Sequence, residues 1–208
     1  MIVGAGGHAR VVASILALDP DILIVGVADR TEEHFGERVG SSQVLATFEQ
    51  TDVWERLGAA AAAIAIGDNK ERAAMFDRLT AAGWPIAQAI HPTAIIEASA
   101  VLGQGCVACA GSIVGAEAVL GDNVLINTAA TVDHESRVGA HAHIGPGVVL
   151  AGRTCIGELS FIGAGSTIRD GVIVGARTVV GCGSVVVDNL PDGVIAFGVP
   201  ARVRRLVE

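Results

Sequence analysis

A length of 208 residues and a mass of 21.1 kDa allow one or two domains with a real apolar core, and a chain that is 51% hydrophobic and 17% charged is not intrinsically disordered. The net charge of −8, from 22 acidic and 14 basic residues with Arg202, Arg204 and Arg205 as the one basic cluster, argues against general nucleic-acid binding. With 27 glycines, 3% aromatics and no tyrosine, the core must consist of small and branched aliphatic side chains on a backbone that turns often.

From Met1 to Gln88, short aliphatic runs alternate with helical patterns, which predicts a small α/β unit around a parallel sheet. Ile2-Val3 is a first strand, Gly4-Ala5-Gly6-Gly7-His8-Ala9 a glycine-rich turn, and a helical pattern runs on through Leu18. Ile22 to Ala28 reads as a second strand ending at Asp29. Thr47 and Gln50 resemble a capping box for a helix through Leu57, Ala60 to Ile66 reads as a buried strand, and Asn69 to Ala82 as a further helix. Only two apolar residues follow Met1 before the glycines, so the natural start is expected upstream of Met1. Gly4-x-Gly6-x-x-Ala9, with Asp29 twenty residues later, fits a dinucleotide fingerprint. These 88 residues hold barely half of a doubly wound fold, which disfavours NAD chemistry. What remains is an affinity for phosphate, since glycines allow close approach and a helix start presents unpaired N–H groups.

From Ile90 to Val186 every sixth residue is Ile, Leu or Val, Ala108 alone excepted. The next position is often Gly, as at Gly103, Gly115, Gly121, Gly139, Gly157 and Gly175, and the fourth position after each aliphatic stays small, as at Cys106, Ser112, Ala130, Ser136 and Ser160. Such a period is too short for a helix pair and too long for strand alternation, and predicts a parallel β-helix of short flat strands joined by tight turns. In this reading the aliphatics stack as a ladder filling a narrow prism, the small residues pack inside near the corners, and Gly permits the turn conformations. If three hexads close one coil, the run makes about five to six coils.

The hexads, the ending Gly198-Val199-Pro200-Ala201-Arg202 and the N-terminal Gly-Ala-Gly-Gly-His together resemble the hexapeptide-repeat sugar acetyltransferases, the sialic acid O-acetyltransferase and bacillosamine-type nucleotide-sugar N-acetyltransferase group. General crossover preferences favour the opposite hand; the resemblance implies a left-handed parallel β-helix over residues 89–208, behind a Rossmann-like half-domain over residues 1–88. It also implies a homotrimer, with acetyl-CoA in grooves between neighbouring prisms.

The repeat lapses at Asn127-Thr128 and at Asp133-His134-Glu135, where two consecutive Gly positions are lost, and local rules tend to break at functional sites. Acetyl transfer needs a group to take the acceptor's proton, and His134 is the candidate base. A carboxylate beside it can fix the imidazole tautomer, a role open to Glu135 first and Asp133 second. By the resemblance, Asn127 holds the acceptor sugar and His143, at a position otherwise filled by an inward-pointing or corner residue, contacts acetyl-CoA. Gly152, Ala164 and Cys182 match main-chain contacts to the pantetheine. Gly6, Gly7 and His8 match the turn that binds the nucleotide sugar. Asp29 matches one of two acids that bind the base; Arg30 stands in place of the other. The oxyanion of the tetrahedral intermediate is expected on a main-chain N–H of a neighbouring coil, Arg137 being the one cation in the His134 segment. His141 is expected to be merely solvated, Cys106-x-x-Cys109 to be filler rather than a metal site, and the arginines near the end to be exposed or to meet nucleotide phosphates.

No apolar run of the length and flanks of a membrane span and no secretion signal are seen, and four cysteines are too few for a disulfide scaffold, so a cytoplasmic protein is expected. The function this supports is acetyl-CoA-dependent N-acetylation of a nucleotide-linked amino sugar, without a metal. The alternatives are O-acetylation of sialic acid or a related sugar, and a non-catalytic trimeric scaffold.

Overall fold

The computed structural model describes residues 1–207, and the chain divides into two compact units, Met1–Pro92 and Thr93–Glu208. In the first, β1 (Ile2–Val3), β2 (Val27–Asp29), β3 (Arg38–Val39), β4 (Ser42–Thr47) and β5 (Ala63–Ile64) form a sheet in the order β3-β4-β2-β1-β5, parallel apart from the β3–β4 hairpin. Three helices complete it: α1 (Gly7–Leu16), α2 (Thr51–Arg56) and α3 (Asn69–Ala81). The core gathers Val3, Ala28, Ala46, Trp54, Ile64, Met75, Phe76 and Leu79, with Trp54 packed edge-on to Trp84.

Four elements differ from the sequence reading, the first being the strand expected over Ala60 to Ile66, which pairs with β1 only at Ala63–Ile64. The second strand is confined to Val27–Asp29 because β1 offers partners only to Val27 and Ala28, and Leu23 lies exposed ahead of it. At the expected capping box only the glutamine half forms: the Thr47 N–H donates to Gln50 Oε1 at 2.9 Å, but Thr47 ends β4 and the helix begins at Thr51. The β3–β4 hairpin turns at Gly40-Ser41, where Gly40 sits at φ +62°, a two-residue turn legible in the sequence but not read from it.

The second unit is the parallel β-helix expected of the hexads, with the left hand that the family resemblance implies. Two-residue strands recur every six residues, and each pairs in parallel with the strand 18 residues on, as Ile113 with Thr131 and Thr131 with Val149. Three strands therefore make one coil, and the coils stack into three faces. The first face runs from Val107–Ala108 through Leu125–Ile126, His143–Ile144 and Phe161–Ile162 to Val179–Val180. The second carries Ile113–Val114, Thr131–Val132, Val149–Leu150 and Thr167–Ile168, and the third Val119–Leu120, Arg137–Val138 and Cys155–Ile156. Val194–Gly198 and Ala201–Leu206 close the first face with an antiparallel pair.

Inside, Val114, Leu120, Ile126, Val132, Ile144, Leu150, Ile162 and Ile168 form the buried ladder. The small corner residues are buried too, and their hydroxyls bond across coils: Ser160 Oγ donates to the Gly175 carbonyl at 2.7 Å and Ser166 Oγ to Gly181 at 3.0 Å. The glycines that follow the ladder have a different cause from the one read in the sequence. They do not supply turn dihedrals; they admit the next coil. A Cβ on Gly139 would lie 2.5 Å from the Glu158 nitrogen, and one on Gly115 2.8 Å from the His134 nitrogen. Positive φ occurs two positions later, at every sixth residue from 105 to 183, and is taken as readily by Glu117, Asn123, Glu135 or Arg153 as by glycine. Replacing Gly139 by Ala should therefore cost about 3 kcal/mol through overlap with fixed backbone. Gly147→Ala, at φ +63° with open space around it, should cost only about 1 kcal/mol. Thermal melting of the two variants would test this, and equal losses would contradict it.

Candidate active site

The turn after Thr131–Val132 carries Asp133, His134 and Glu135. Asp133 does not reach the imidazole; its Oδ1 accepts the His134 main-chain N–H at 2.7 Å and shapes the turn. Glu135, carried outward at φ 56°, places Oε2 3.0 Å from His134 Nδ1. A ring nitrogen on a carboxylate carries the proton, so this contact puts hydrogen on Nδ1 and leaves Nε2 as a free acceptor. Of the two carboxylates that flank His134, Glu135 is therefore the one in contact with the ring. One coil on, Gly152 lies under the same ring: a Cβ there would overlap Nε2 and sit 2.5 Å from Cε1. Glycine at 152 is what lets the imidazole come this close to the next turn. Arg137 is not part of this cluster; it points outward from its strand, and the guanidinium paired with Glu135 is that of Arg153.

Asn127 and His143 meet elsewhere. Asn127 follows the first face, where its Nδ2 lies 3.1 Å from His143 Nε2 and its Oδ1 accepts the Thr128 N–H at 2.8 Å. His143 opens the strand His143–Ile144 and so faces outward, its ring edge-on to Phe161 at 5.0 Å, rather than inward or at a corner as the repeat suggested. Ala164 and Cys182 stack on this same corner, Cys182 exposed and the Ala164 carbonyl accepting from Gly183 at 2.8 Å. The residues singled out in the β-helix therefore fall in two groups on one chain, Asp133, His134, Glu135 and Gly152 at the corner after the second face, and His143 on the first face with Asn127, Ala164 and Cys182 at the corner that follows it. His141 is more than solvated: its Nδ1 lies 3.0 Å from the amide of buried Asn123. Cys106 and Cys109 are buried, burial pushes both thiols up to about 11, and no metal-binding cluster occurs among the described residues. Near the end, Arg202 pairs with Asp188 at 3.3 Å and Arg204 lies over the Phe197 ring.

In the first unit, Gly4 turns at φ +115° with its Cα against the Ala65 carbonyl, a position no side chain fits, and α1 starts at Gly7. Gly6, Gly7 and His8 then line a cavity of about 270 Å³ with Asp29, Arg30, Phe48, Asp68 and Glu71. Asp29 is held by His34, and Arg30 by Glu71 at 2.8 Å. His8 Nε2 is buried and has no hydrogen-bond partner among the described residues. Burial, and then the Arg72 guanidinium, lower its pKa to about 4. A neutral, unpaired ring nitrogen beside a helix start can take a hydrogen bond from a polar ligand group.

Comparison with known proteins decides the family. Residues 1–79 match the family described as the PglD N-terminal domain. PerB from Caulobacter crescentus, a GDP-perosamine N-acetyltransferase solved with CoA and GDP-perosamine, is 37% identical over 98% of this chain and 95% of its own, with a TM-score of 0.91. The acetyltransferase domain of PglB from Neisseria gonorrhoeae, solved with acetyl coenzyme A, is 36% identical over 98% of this chain and 97% of its own, with a TM-score of 0.88. The chain belongs to the hexapeptide-repeat sugar acetyltransferases. WeeI from Acinetobacter baumannii, 23% identical at a TM-score of 0.87, shares the fold. No curated protein matches the chain.

In this family member, the cradle makes a pH-dependent contribution to stability. Unfolded, His8 titrates near its usual 6.5; folded, near 4. The unfolded chain therefore takes up the proton first, and stability present above pH 6.5 is lost as the pH falls from 6.5 towards 4. His8→Gln should flatten this decline. Both tryptophans, Trp54 and Trp84, lie in this unit, so fluorescence-detected melting reads it selectively. Identical pH slopes for the two proteins would overturn the assignment.

Proposed function

We propose that the chain transfers the acetyl group of acetyl-CoA to the amino group of a nucleotide-linked amino sugar, with His134 as general base. The observation that carries this is the Glu135–His134 contact, which leaves Nε2 basic at a corner where Gly152 admits it. The sugar nitrogen attacks the thioester carbon, and its proton passes to Nε2. As the tetrahedral intermediate collapses, the carbon–sulfur bond breaks and the imidazolium returns the proton to the CoA thiolate, so that protons and charge balance. Glu135 stabilises the transient imidazolium. The Gly152 N–H, which donates to no carbonyl among the described residues, is the donor assigned to the oxyanion. PerB and PglB, with CoA or acetyl-CoA bound, support the class of reaction, and GDP-perosamine in PerB supports a nucleotide-linked amino sugar as acceptor.

The active assembly in this reading is a homotrimer. Pantetheine cannot run along two corners of one prism at once, yet the residues matched to it lie on two. A groove formed by the Gly152 corner of one chain and the Ala164–Cys182 corner of its neighbour brings them together, with Asn127 holding the sugar and His143 near the acetyl-CoA. The second face supports a subunit contact, since its outward row includes the exposed Ile95, Ile113 and Val149. The nucleotide belongs in the cavity lined by Gly6, Gly7 and His8, with Asp29 at the base. No helix among the described residues is long and apolar enough to cross a membrane. Both co-substrates are cytoplasmic metabolites, which supports a cytoplasmic site of action.

A thiol-release assay with acetyl-CoA and UDP-, GDP-, dTDP- and CMP-linked sugars tests the reading. One amino sugar should support turnover. With it, His134→Ala should lower kcat by about 10²–10⁴ while leaving both KM values within a few-fold. Full activity in that variant would refute the mechanism.

A further inference from the structure

Glu135 is not held by His134 alone. Its Oε2 also lies 3.8 Å from NH1 of Arg153, which stands one coil on, directly after Gly152. Arg153 is itself fixed from two sides. Its main-chain N–H donates to the His134 carbonyl at 2.8 Å, and its NH2 meets both carboxylate oxygens of Asp170, at 2.8 and 2.7 Å, on the following coil. Asp170, Arg153, Glu135 and His134 thus form a chain of polar contacts across three successive coils. The guanidinium pKa is raised, chiefly by the Asp170 hydrogen bond and then by Asp170 and Glu135 as charges. Every side chain in the chain is about half exposed, so these contacts add little to folding stability. What they do fix is direction. A glutamate on a positive-φ turn has three free torsions, and a base needs its carboxylate on Nδ1 at the moment of proton transfer.

We propose that Arg153, anchored by Asp170, is a positioning residue for acetyl transfer: it holds the Glu135 carboxylate against His134 Nδ1 and so keeps Nε2 as the accepting nitrogen. This rests on His134 being the base. The relay is invisible to a local reading of the sequence, because its members are separated by a coil's length rather than by a helical or strand period.

The test uses the full-length protein and the acceptor found in the thiol-release assay. Arg153→Met and Asp170→Asn should each lower kcat about tenfold with KM for acetyl-CoA and for the sugar nucleotide within two-fold, and Arg153→Lys should recover most of the loss. Melting temperature should not change. In a Glu135→Gln background Arg153→Met should cost nothing further, because the group it positions is gone. An undiminished kcat in Arg153→Met, a loss confined to KM for acetyl-CoA, or an equal loss in the Glu135→Gln background would each overturn the proposal. His134→Ala separates the two readings: if it is inactive while Arg153→Met is fully active, the relay fails and the base stands, and if it is fully active both fail.

Discussion

The distance between one coil and the next governs this molecule. Two-residue strands pair with partners 18 residues on, and the turns between them stack so closely that the residue after each ladder position usually has no room for a Cβ. Side chains 18 residues apart therefore become neighbours at nearly constant spacing. A corner is a column, not a loop, and a site built on it draws one residue from each coil. That is how Gly152 comes to lie under His134 and Arg153 beside Glu135. At Asn127 and Asp133 the glycine series is interrupted by polar side chains that find partners in the turn, as Asp133 does in the His134 N–H.

The first unit meets a different constraint. A tight glycine turn, a helix beginning at Gly7 and a buried imidazole surround a small polar cavity, and the imidazole is kept neutral by burial and by Arg72. A nitrogen left without a partner in that position costs stability in the free protein. Such a cost is reasonable where a ligand supplies the missing hydrogen bond. Beside Asp29, which is held by His34, stands Arg30 tied to Glu71, so this wall of the cavity carries a cation–anion pair next to the aspartate.

The repeat was legible because the inside of a prism this narrow admits only aliphatic ladder residues and small corner residues, and a period of six in aliphatics runs from Ile90 to Val186. The reason for its glycines was not legible, since close approach and positive φ leave the same letter in the sequence. The strands of the first unit were read too long where a run such as Ile22–Val25 is apolar without having a partner. At the site, the lapse at Asp133-His134-Glu135 marked the turn, but the division of labour between the two acids needed coordinates: Asp133 and Glu135 flank the same imidazole, and only the turn's dihedrals decide which reaches it. Arg153 and Asp170 carried no signal at all. Their partners are set by coil length, and single charged residues in turns otherwise read as solvated.

The central claim is that one catalytic site is assembled from unlike corners of two chains. Subunit complementation tests it most directly: His134→Ala protein is mixed, by joint refolding or coexpression, with a variant carrying Asn127→Ala and His143→Ala, and activity is measured at subsaturating acceptor. Each parent should be nearly inactive, and an equal mixture of trimers should regain about one quarter of wild-type activity, the fraction of sites that draw both intact corners. Mixtures no more active than their parents would contradict a site shared between subunits.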